Sequence, residues 1–451
     1  MTSPMTSSPP LRWSDLTAAR VGLWGLGVEG SANLAKLLSL GIEPVIADDR
    51  PSSKDAHGIP VLPTGQGGWE ALATCQVVVK TPGISRYRPD VVALEERGVV
   101  LAGGLGLWLH EADPQRVVCI TGTKGKSTTA AIAGHLARAL GRRCLVAGNI
   151  GRLPYDPNIT EEPELTVVEV SSFQATDLRC SPPVVAVTSL HPDHLDWHGS
   201  VERYYADKLS ICTKPGADLV IADGTSAELA AQVHQLGKRI EWISQPSGGS
   251  WADALGLRGS HNRRNALIAR ACLLASGVQE AADDDLLETA AQGFTPLDSR
   301  LVEIGSLSGV TFVDDSLSTN ALAAIAAIEC FDSQPLAIIL GGADRGIDYT
   351  ALAERIVARR EPTFVVTMPA SGARMHATLD AVTQDHDHLD VTDTDDLQTA
   401  VAKAFSWATP GAVVLMSPAA ASFGQFRNYK ERSAAFRDIL ASLEVEGSAT
   451  Q

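Results

Sequence analysis

The sequence lacks any apolar run that approaches the ~20 residues needed to span a bilayer. Its opening residues, "MTSPMTSSPPLRW", have no charged segment followed by an apolar one, so we expect no secretory signal peptide. The seven cysteines are odd in number and scattered, and no two stand in CxxC spacing. We therefore expect a cytoplasmic protein with reduced, buried thiols and no membrane partner.

Basic residues are scarce relative to acidic ones. Lysine and arginine together number 37 against 53 aspartates and glutamates, which gives a formal net charge of −16. A chain with this charge is repelled by nucleic acids and anionic membranes, so we expect no nucleic-acid partner. An anionic substrate would have to be bound by local basic side chains and backbone amides.

Short apolar runs recur along the chain, and each ends in Gly, Asp, Ser or His. They are "RVGLWGLG", "CQVVVKTPG", "RVVCITGTKG", "LTVVEVSS", "VVAVTSLHPDH", "ADLVIAD", "GVTFVDDS", "PLAIILGGAD", "TFVVTMP" and "AVVLMSPA". Such runs, rich in β-branched residues, predict strands buried on both faces of parallel sheets. Alanine- and leucine-rich segments between them, such as "STTAAIAGHLARAL", predict crossover helices, so the predicted fold class is α/β. Ligands of such sheets bind beyond the carboxyl ends of the strands, where polar residues cluster here.

The length of 451 residues suggests two to four domains. Breaks near "HEADPQR" and "GFTPLDSR" divide the chain into three blocks, each of which repeats the strand–helix theme. We predict domains over residues 1–113, 114–298 and 299–451.

The stretch "ITGTKGKSTTAA" follows one predicted strand and begins a helix. Its amides and the helix dipole can therefore hold phosphate groups. Lys126 can neutralise β- and γ-phosphate oxygens, and Ser127 can offer its hydroxyl to Mg²⁺. The spacing departs from the common phosphate loop, because Gly122 and Gly125 stand only two residues apart. We predict ATP binding here, against the alternative of an ordinary strand-to-helix turn.

The first block contains "WGLGVEGSAN", in which Gly25, Gly27 and Gly30 form GxGxxG after a predicted strand. Asp48 or Asp49 follows about twenty residues later, as in dinucleotide-binding proteins. The loop binds a diphosphate, and the acid can hold a ribose or a base. The motif alone leaves a nicotinamide or flavin cofactor and a UDP-sugar equally open.

The middle block contains "VVEVSSFQ" and "VTSLHPDHLDWHGSVERYYADKLSI". Glu169 ends a strand that should lie beside the phosphate loop, where a carboxylate can bind Mg²⁺. The histidines His191, His194 and His198 raise the alternative of a zinc site, but nearby aspartates favour a harder cation. Lys208 lies on a predicted helix, and taken alone it predicts a solvated surface charge.

The third block places polar residues at strand ends and in glycine-rich turns. Arg300, Arg345 and Arg427 can bind a carboxylate or phosphate in bidentate fashion. Asp314 and Asp315 can position a nucleotide or a metal ion. Each signal is weak alone, and together they predict a further part of a ligand site.

In their order along nearly the whole chain, eight motifs resemble those of the Mur ligase family, in particular its glutamate-adding members. They are "GTKGKST", "GNIG", "EVSSFQ", "DHLDWHGS", "YYADKLSI", "GSHNRRNALIA", "DDSLSTN" and "SPAAASFGQFRNY". The resemblance implies a Rossmann-like N-terminal domain, a P-loop ATPase central domain and a Rossmann-like C-terminal domain. It also implies a monomer that joins glutamate to UDP-N-acetylmuramoyl-L-alanine through an acyl phosphate, with ATP and two Mg²⁺ ions, in peptidoglycan precursor synthesis.

The resemblance further implies a role for each matching residue. ATP would be bound by Gly122, Thr123, Lys124, Gly125, Lys126, Ser127, Thr128, Asn265, Arg300 and Asp315. Magnesium would be bound by Ser127, Glu169, His194 and Lys208, the last as a carbamate, which replaces the surface role expected above. The UDP-sugar and glutamate would be bound by Gly27, Val28, Glu29, Asp48, Arg50, Gly83, Asn149, Ser172, Gln174, Leu317, Thr319, Arg345, Ser422 and Tyr429. Catalysis would depend on Lys126, Glu169, His194, Lys208, Arg300 and Asp315.

The chain departs from the D-glutamate members of the family at its amino-acid pocket. Leu317 and Arg345 stand where those enzymes have lysines, and Ser299 precedes Arg300 where they have histidine. The turn "GGLGLW" also lacks the acidic residues that are usual there. Because inverting the α-carbon redirects the carboxylate, we predict L-glutamate as the substrate, with D-glutamate as the alternative.

Three other functions were weighed against this prediction. A folylpolyglutamate synthetase would share the phosphate loop but would not need a UDP-binding first block. A nicotinamide-dependent oxidoreductase would explain that first block alone. A catalytically dead nucleotide-binding regulator would have no reason to retain Lys126, Glu169, His194 and Lys208.

Overall fold

The computed structural model describes residues 11–51, 53–244, 250–382 and 388–449. Within them the chain forms two compact units. The first comprises the described part of Met1–Gly256 together with Asn262–Phe294, and the second comprises Leu257–His261 together with the described part of Thr295–Gln451. Each unit is described separately below.

The first unit begins with a six-stranded sheet. Its strands are β1 (Val21–Trp24), β2 (Val45–Asp48), β3 (Asp55–Ala56), β4 (Ile59–Pro63), β5 (Val77–Lys80) and β6 (Val100–Ala102). They lie in the order β3-β4-β2-β1-β5-β6, parallel except for the β3–β4 pair. The accompanying helices are α1 (Val28–Ser39), α2 (Trp69–Leu72), α3 (Pro89–Glu96) and α4 (Gly104–Leu109). All four residues of β1 and of β5 are buried, as expected for strands covered on both faces.

A second sheet follows in the same unit. Its strands are β7 (Val117–Thr121), β8 (Cys144–Gly148), β9 (Leu165–Glu169), β10 (Val184–Val187), β11 (Leu219–Asp223) and β12 (Ile240–Ile243). They are all parallel, in the order β12-β11-β10-β7-β9-β8. Its helices are α5 (Lys126–Ala139), α6 (Ser172–Asp177), α7 (Leu195–His198), α8 (Val201–Leu209), α9 (Ala227–Ala231), α10 (Ser260–Ala275) and α11 (Asp284–Ala291). The strand β7 lies between β10 and β9, so three strand ends meet at the phosphate loop.

The second unit contains a third six-stranded sheet. Its strands are β13 (Val302–Leu307), β14 (Val310–Asp314), β15 (Leu336–Gly342), β16 (Thr363–Ala370), β17 (Leu389–Asp393) and β18 (Val413–Met416). They lie in the order β13-β14-β18-β15-β16-β17, and only the β13–β14 pair is antiparallel. The helices are α12 (Ala321–Glu329), α13 (Thr350–Val357), α14 (Ser371–Val382), α15 (Leu397–Trp407) and α16 (Tyr429–Ala449). The carboxyl ends of β14, β18 and β15 therefore lie side by side.

The α/β class and the parallel sheets predicted from the sequence are confirmed, since all ten apolar runs form strands. The three domain boundaries stay a prediction, because the compact units number two and the first contains two sheets. Among the described residues, no helix is both long and apolar enough to cross a bilayer. All seven cysteines are unpaired, and four of them are buried.

Candidate active site

The phosphate loop connects β7 to α5 by two glycines that no other residue could replace without strain. Gly122 and Gly125 have φ values of +136° and +89°, in the region that favours glycine. A Cβ at Gly122 would lie 2.3 Å from Thr188 Oγ1, and a Cβ at Gly125 would lie 2.5 Å from Asn265 Oδ1. The tight turn leads directly into the first residues of α5, which include the predicted ligands Ser127 and Thr128. The loop therefore directs a helix N-terminus towards the space beyond β7.

Hydrogen bonds to neighbouring elements fix the loop's shape. The Thr123 hydroxyl lies 2.9 Å from Tyr204 Oη, and the Thr123 amide donates to Ser189 O over 2.9 Å. Lys126 Nζ donates to Thr123 O over 3.1 Å, and Lys124 Nζ lies 3.5 Å from Asp193 Oδ2. The two lysines bring positive charge to the carboxyl end of the sheet, as anion binding requires.

Glu169 ends β9 directly beside the loop, because its backbone pairs with Ile120 of β7. The side chain is 1% exposed, and Oε1 accepts a hydrogen bond of 3.0 Å from Asn149 Nδ2. Oε2 is buried and has no hydrogen-bond partner among the residues that the structure describes. Because a buried carboxylate oxygen without a partner is costly, this atom fits a site for a bound cation.

Lys208 is buried on α8 and lies beside the same loop. Its Nζ donates to Gly122 O over 2.9 Å and lies 4.9 Å from the centroid of the Tyr204 ring. Burial, with Lys126 nearby, holds the pKa of Lys208 well below the usual lysine value. The residue is 2% exposed, so the solvated surface charge that its position alone suggested is wrong.

His194 precedes α7 in a left-handed conformation, with a φ of +53°. Its side chain is half exposed and stacks near Phe173, with ring centroids 4.9 Å apart. Burial lowers its pKa, which favours the neutral imidazole that a metal ion can bind. His194 therefore fits the same cation site as Glu169 in its chemistry.

The alternative of a zinc site formed by three histidines finds no support. Both ring nitrogens of His198 are engaged, Nδ1 with Asp207 Oδ2 at 2.6 Å and Nε2 with Ser172 Oγ at 3.0 Å. No group of three His, Cys, Asp or Glu side chains suited to a metal occurs in the part of the chain that is described. A site for a hard cation here would need a further acidic ligand.

The glycine loop of the first sheet is held by Asp48 at the end of β2. Its carboxylate accepts from the amides of Leu26 at 2.8 Å and of Arg50 at 2.7 Å. A Cβ at Gly30 would lie 2.0 Å from Gly25 O, so the third glycine is needed for close helix–strand packing. Asp48 thus shapes the loop, besides standing where a nucleoside would be recognised.

The predicted UDP ligands lie around the N-terminus of α1. Gly27 caps this helix, and Val28, the next residue, is 87% exposed. Glu29 follows, with Oε2 3.0 Å from Gln174 Nε2 of the second sheet. Gly83 lies exposed in the turn after β5. The structure therefore brings Gln174 to the diphosphate loop, while the other substrate residue of α6, Ser172, contacts His198 instead.

Burial raises the pKa of Glu29 from its usual 4.5 to about 7, so near neutral pH about half of the carboxyl groups keep their proton. Between pH 4.5 and 7 the unfolded chain loses this proton before the folded one, so stability falls as pH rises. We expect Glu29→Gln to stabilise the ligand-free protein by about 1–2 kcal/mol at pH 8–9 and to have no effect near pH 4. Urea unfolding of both proteins across this pH range measures the difference, and a difference independent of pH would contradict the prediction.

Sequence reasoning missed a buried ion pair behind this loop. Lys80 Nζ lies 2.6 Å from Asp177 Oδ2, and the two side chains are 0% and 5% exposed. Lys80 ends β5 and Asp177 ends α6, so the pair joins the two sheets of the first unit. The sequence does contain one sign of this ion pair. A lysine ends the apolar run "VVVK", and a lysine cannot remain buried without a partner.

In the second unit, polar residues gather at the ends of β14 and β18. Ser417 Oγ donates to Asp315 Oδ2 over 2.7 Å, and the Leu317 amide donates to Ser299 O over 3.0 Å. Burial raises the pKa of Asp315 to about 7, although Arg300 nearby opposes the rise. Asp315 and Leu317 therefore lie at the carboxyl end of β14, as their positions predict, and Arg300, which precedes β13, lies near Asp315.

The neighbouring turn contains the remaining predicted residues. Arg345, after β15, is exposed, and its guanidinium carbon lies 5.5 Å from the ring centroid of Phe423. Phe423 is itself 54% exposed and follows Ser422, which is buried after β18. Tyr429 begins α16, and Thr319 lies partly buried before α12. The stacked Arg345 offers a cation held at the sheet edge.

Comparison with known proteins identifies the family. The model of the Mur ligase middle domain matches residues 120–235, and that of the Mur ligase glutamate ligase domain matches residues 299–420. A Micromonospora protein named UDP-N-acetylmuramoyl-L-alanine--L-glutamate ligase is 38% identical, covering 95% of this chain and 98% of its own. The chain belongs to the Mur ligase family. Proteins of the same name from Salinispora tropica and Xylella fastidiosa are 39% and 36% identical, covering 94% and 97% of this chain and 98% of their own.

Solved structures of other proteins share this fold at low sequence identity. UDP-N-acetylmuramate-alanine ligase from Thermotoga maritima has a TM-score of 0.58 at 18% identity, covering 94% of this chain and 99% of its own. Folylpolyglutamate synthase from Mycobacterium tuberculosis has a TM-score of 0.53 at 17% identity, but covers only 74% of this chain and 93% of its own. The predicted family is confirmed, and the oxidoreductase alternative for the glycine loop is wrong.

Proposed function

We propose that this Mur ligase joins L-glutamate to UDP-N-acetylmuramoyl-L-alanine, using ATP to activate the terminal carboxylate as an acyl phosphate. The amine of glutamate then attacks, an amide bond forms and phosphate leaves. The relatives that align over nearly the whole chain are named for this reaction. The observation that carries the proposal is that Lys208 of α8 and Glu169 of β9 both lie beside the phosphate loop.

The phosphate loop and its lysines account for the nucleotide part of the reaction. The amides that begin α5 and the side chains of Lys124 and Lys126 would bind the phosphates of ATP, while Asn265 would face the adenine. Magnesium, two ions in the full proposal, would offset the charge that develops between the phosphates and the carboxylate. Ser127, Glu169 and His194 are the residues that would hold it, together with Lys208.

Lys208 can join such a site only if its charge changes sign. Because the pKa of Lys208 is depressed, a fraction of the protein molecules carries it as a neutral amine. The nitrogen of that amine can attack carbon dioxide. The new N–C bond and the loss of one proton convert the amine into a carbamate. We propose this modification because it supplies the further acidic ligand that Glu169 and His194 lack.

The first sheet supplies the groups for the UDP part of the substrate. The amides at Gly27 and Val28 begin α1 and would face the diphosphate, with Asp48, Arg50 and Gly83 nearby. A protonated Glu29 would not repel the diphosphate, as an ionised carboxylate in the same place would. Asn149 and Gln174 would bind the muramoyl-alanine part, whereas the buried hydroxyl of Ser172, also predicted as a ligand, contacts His198 instead.

The second unit supplies the residues for glutamate, together with Arg300 and Asp315 for the nucleotide. The side chain of Leu317 cannot donate a hydrogen bond, so we propose Arg345, held against Phe423, as a charged donor for the carboxylate of glutamate. Thr319, Ser422 and Tyr429 would complete the pocket. Compared with the D-glutamate members of the family, the chain lacks a cation at residue 317 and has the cation Arg345 instead of a lysine. This change favours L-glutamate, whose α-carboxylate points in a different direction from that of the D-isomer.

The direct test is phosphate release with ATP, Mg²⁺ and UDP-N-acetylmuramoyl-L-alanine, with L-glutamate and D-glutamate in separate reactions. We expect release with the L-isomer and at least about 100-fold less with the D-isomer, since a misplaced carboxylate leaves buried polar groups unpaired. Release with D-glutamate alone would contradict the stereochemical part of the proposal. No release with either isomer would contradict the acceptor as well.

Leu317 provides a second test of the amino-acid pocket. We expect Leu317→Lys to change the KM for glutamate by about 10-fold, because a new cation alters carboxylate binding, and to leave the KM for ATP within about two-fold. Leu317→Met, which adds no charge, is the matched control. An equal change in both KM values would place Leu317 outside this pocket.

We also propose that the enzyme acts as a cytoplasmic monomer with domains over 1–113, 114–298 and 299–451. Support comes from the three separate sheets, whose residues follow these boundaries closely. Sedimentation velocity tests the monomer, and limited proteolysis tests the boundaries.

A further inference from the structure

A continuous chain of four side chains crosses the first unit without being part of the proposed metal or phosphate ligands. Tyr87 Oη donates to Asp207 Oδ1 over 2.6 Å, and Asp207 Oδ2 lies 2.6 Å from His198 Nδ1. His198 Nε2 lies 3.0 Å from Ser172 Oγ. We call this set the Tyr87–Ser172 chain.

Each member of the Tyr87–Ser172 chain lies close in sequence to a residue of the proposed active site. Asp207 directly precedes Lys208 on α8, and His198 ends α7, the helix that His194 caps. Ser172 begins α6, three residues after Glu169. Tyr87 follows the turn at residue 83. The three proposed metal-binding segments are thus tied to one another by hydrogen bonds that do not involve the ligands themselves.

The centre of the Tyr87–Ser172 chain is largely shielded from solvent. The side chain of His198 is 0% exposed and that of Asp207 is 13% exposed. The imidazole lies among aromatic rings, with centroids 4.5 Å from Trp197, 5.2 Å from Tyr204 and 5.5 Å from Phe173. Hydrogen bonds in such surroundings are strong and directional, so they fix the helices that meet there.

The order Ser–His–Asp resembles that of a hydrolytic triad, but the surroundings exclude that chemistry. Ser172 is 2% exposed, so no substrate carbonyl can reach its hydroxyl. Asp207 also accepts from Tyr87, which lies on the other sheet of the unit. The arrangement therefore serves to hold elements together.

We infer that His198 and Asp207 are positioning residues that set the spacing of Glu169, His194 and Lys208 around the cation. This inference rests on the proposed magnesium site, two of whose ligands, Glu169 and His194, stand just before short helices. The helix α7 has four residues, and α6 has six, so neither is long enough to be stable alone. The buried bonds of the Tyr87–Ser172 chain supply the order that these helices cannot supply themselves.

The test measures Mg²⁺ binding in the presence of ADP, by isothermal titration calorimetry, in single variants of the full chain. His198→Asn keeps a group at the Nδ1 position and loses the bond to Ser172, whereas His198→Gln does the reverse. Asp207→Asn and Tyr87→Phe each lose one of the remaining bonds. We expect every variant to raise the half-saturating Mg²⁺ concentration about five- to ten-fold, with the KM for glutamate changed less than about two-fold.

Tyr205→Phe is the matched control. It removes a hydroxyl from α8, the helix that contains Asp207, but Tyr205 is not part of the Tyr87–Ser172 chain. It should leave Mg²⁺ binding within about two-fold of the wild type. Unchanged Mg²⁺ binding in the folded variants, or an equal loss in Tyr205→Phe, would overturn the inference. If the His198 variants do not fold, Asp207→Asn and Tyr87→Phe decide the question. Because ADP binding needs no ligase turnover, failure of the proposed reaction is recognised separately in the wild-type assay.

Discussion

Lys208→Ala is expected to reduce ligase turnover by about 10³-fold or more, the largest effect of any substitution considered for this protein. The substitution removes the proposed carbamate and leaves a buried space beside Gly122 O, where Nζ now lies. A small carboxylic acid can enter that space and supply an anionic oxygen to the metal. Acetate or formate should therefore restore part of the activity, and phosphate release as a function of acid concentration measures this.

Two further variants separate the carbamate from the general effect of losing a buried lysine. Lys208→Arg keeps a positive charge but cannot form a carbamate, so we expect it to be inactive and not rescued by acids. Lys214 is a matched control, because burial also lowers its pKa, to about 8, and its Nζ donates to Ala175 O over 2.7 Å. Lys214→Ala should lower stability and keep turnover per folded molecule within about three-fold. Normal turnover in Lys208→Ala would exclude the carbamate.

Glu169→Gln is expected to reduce turnover by about 10²- to 10³-fold. The amide keeps an oxygen that can accept from Asn149 Nδ2, so the local structure should persist. What is lost is the negative charge of the carboxylate, whose Oε2 has no hydrogen-bond partner in the described part of the chain. Turnover over a wide range of Mg²⁺ concentrations should show a raised Mg²⁺ requirement, with the melting temperature changed by only a few degrees.

The control for this prediction is Glu161→Gln, the same change at an exposed position before β9. Its turnover and its Mg²⁺ requirement should equal those of the wild type. An unchanged Mg²⁺ requirement in Glu169→Gln would mean that the metal binds elsewhere, whatever the loss in rate. A large loss of stability would instead assign Glu169 a structural role.

Much of the fold was accessible from the sequence, because local patterns determine it. Apolar runs such as "VVCIT" are buried on both faces, and a buried strand admits few other side chains. The phosphate loop could also be predicted from the sequence, since Gly122 and Gly125 occupy backbone conformations and spaces that exclude a side chain. Glu169 was placed beside the loop from the parallel order of strands alone. In each case, neighbours along the chain carry the information.

The environment of single polar residues was not accessible in the same way. Lys208 on its helix predicts a surface charge, and only the packing of α8 against the loop buries it. Glu29 has an ordinary side chain whose pKa rises because burial removes it from solvent, although the hydrogen bond from Gln174 opposes the rise. The partners of a buried polar group come from elements distant in sequence, and desolvation depends on all of them together.

The sequence by itself therefore determined the strands, the tight glycine turns and the residue types at the strand ends. Resemblance to the family added the roles that we propose for these residues in ATP-dependent ligation. Only the tertiary structure decided which side chains are buried, which have hydrogen-bond partners and which have none among the described residues, as is true of Glu169 Oε2. The Tyr87–Ser172 chain belongs wholly to this second class, because its members meet only after both sheets of the first unit have formed. Backbone conformation is set largely by local chemistry, whereas burial and hydrogen bonding are properties of the packed whole.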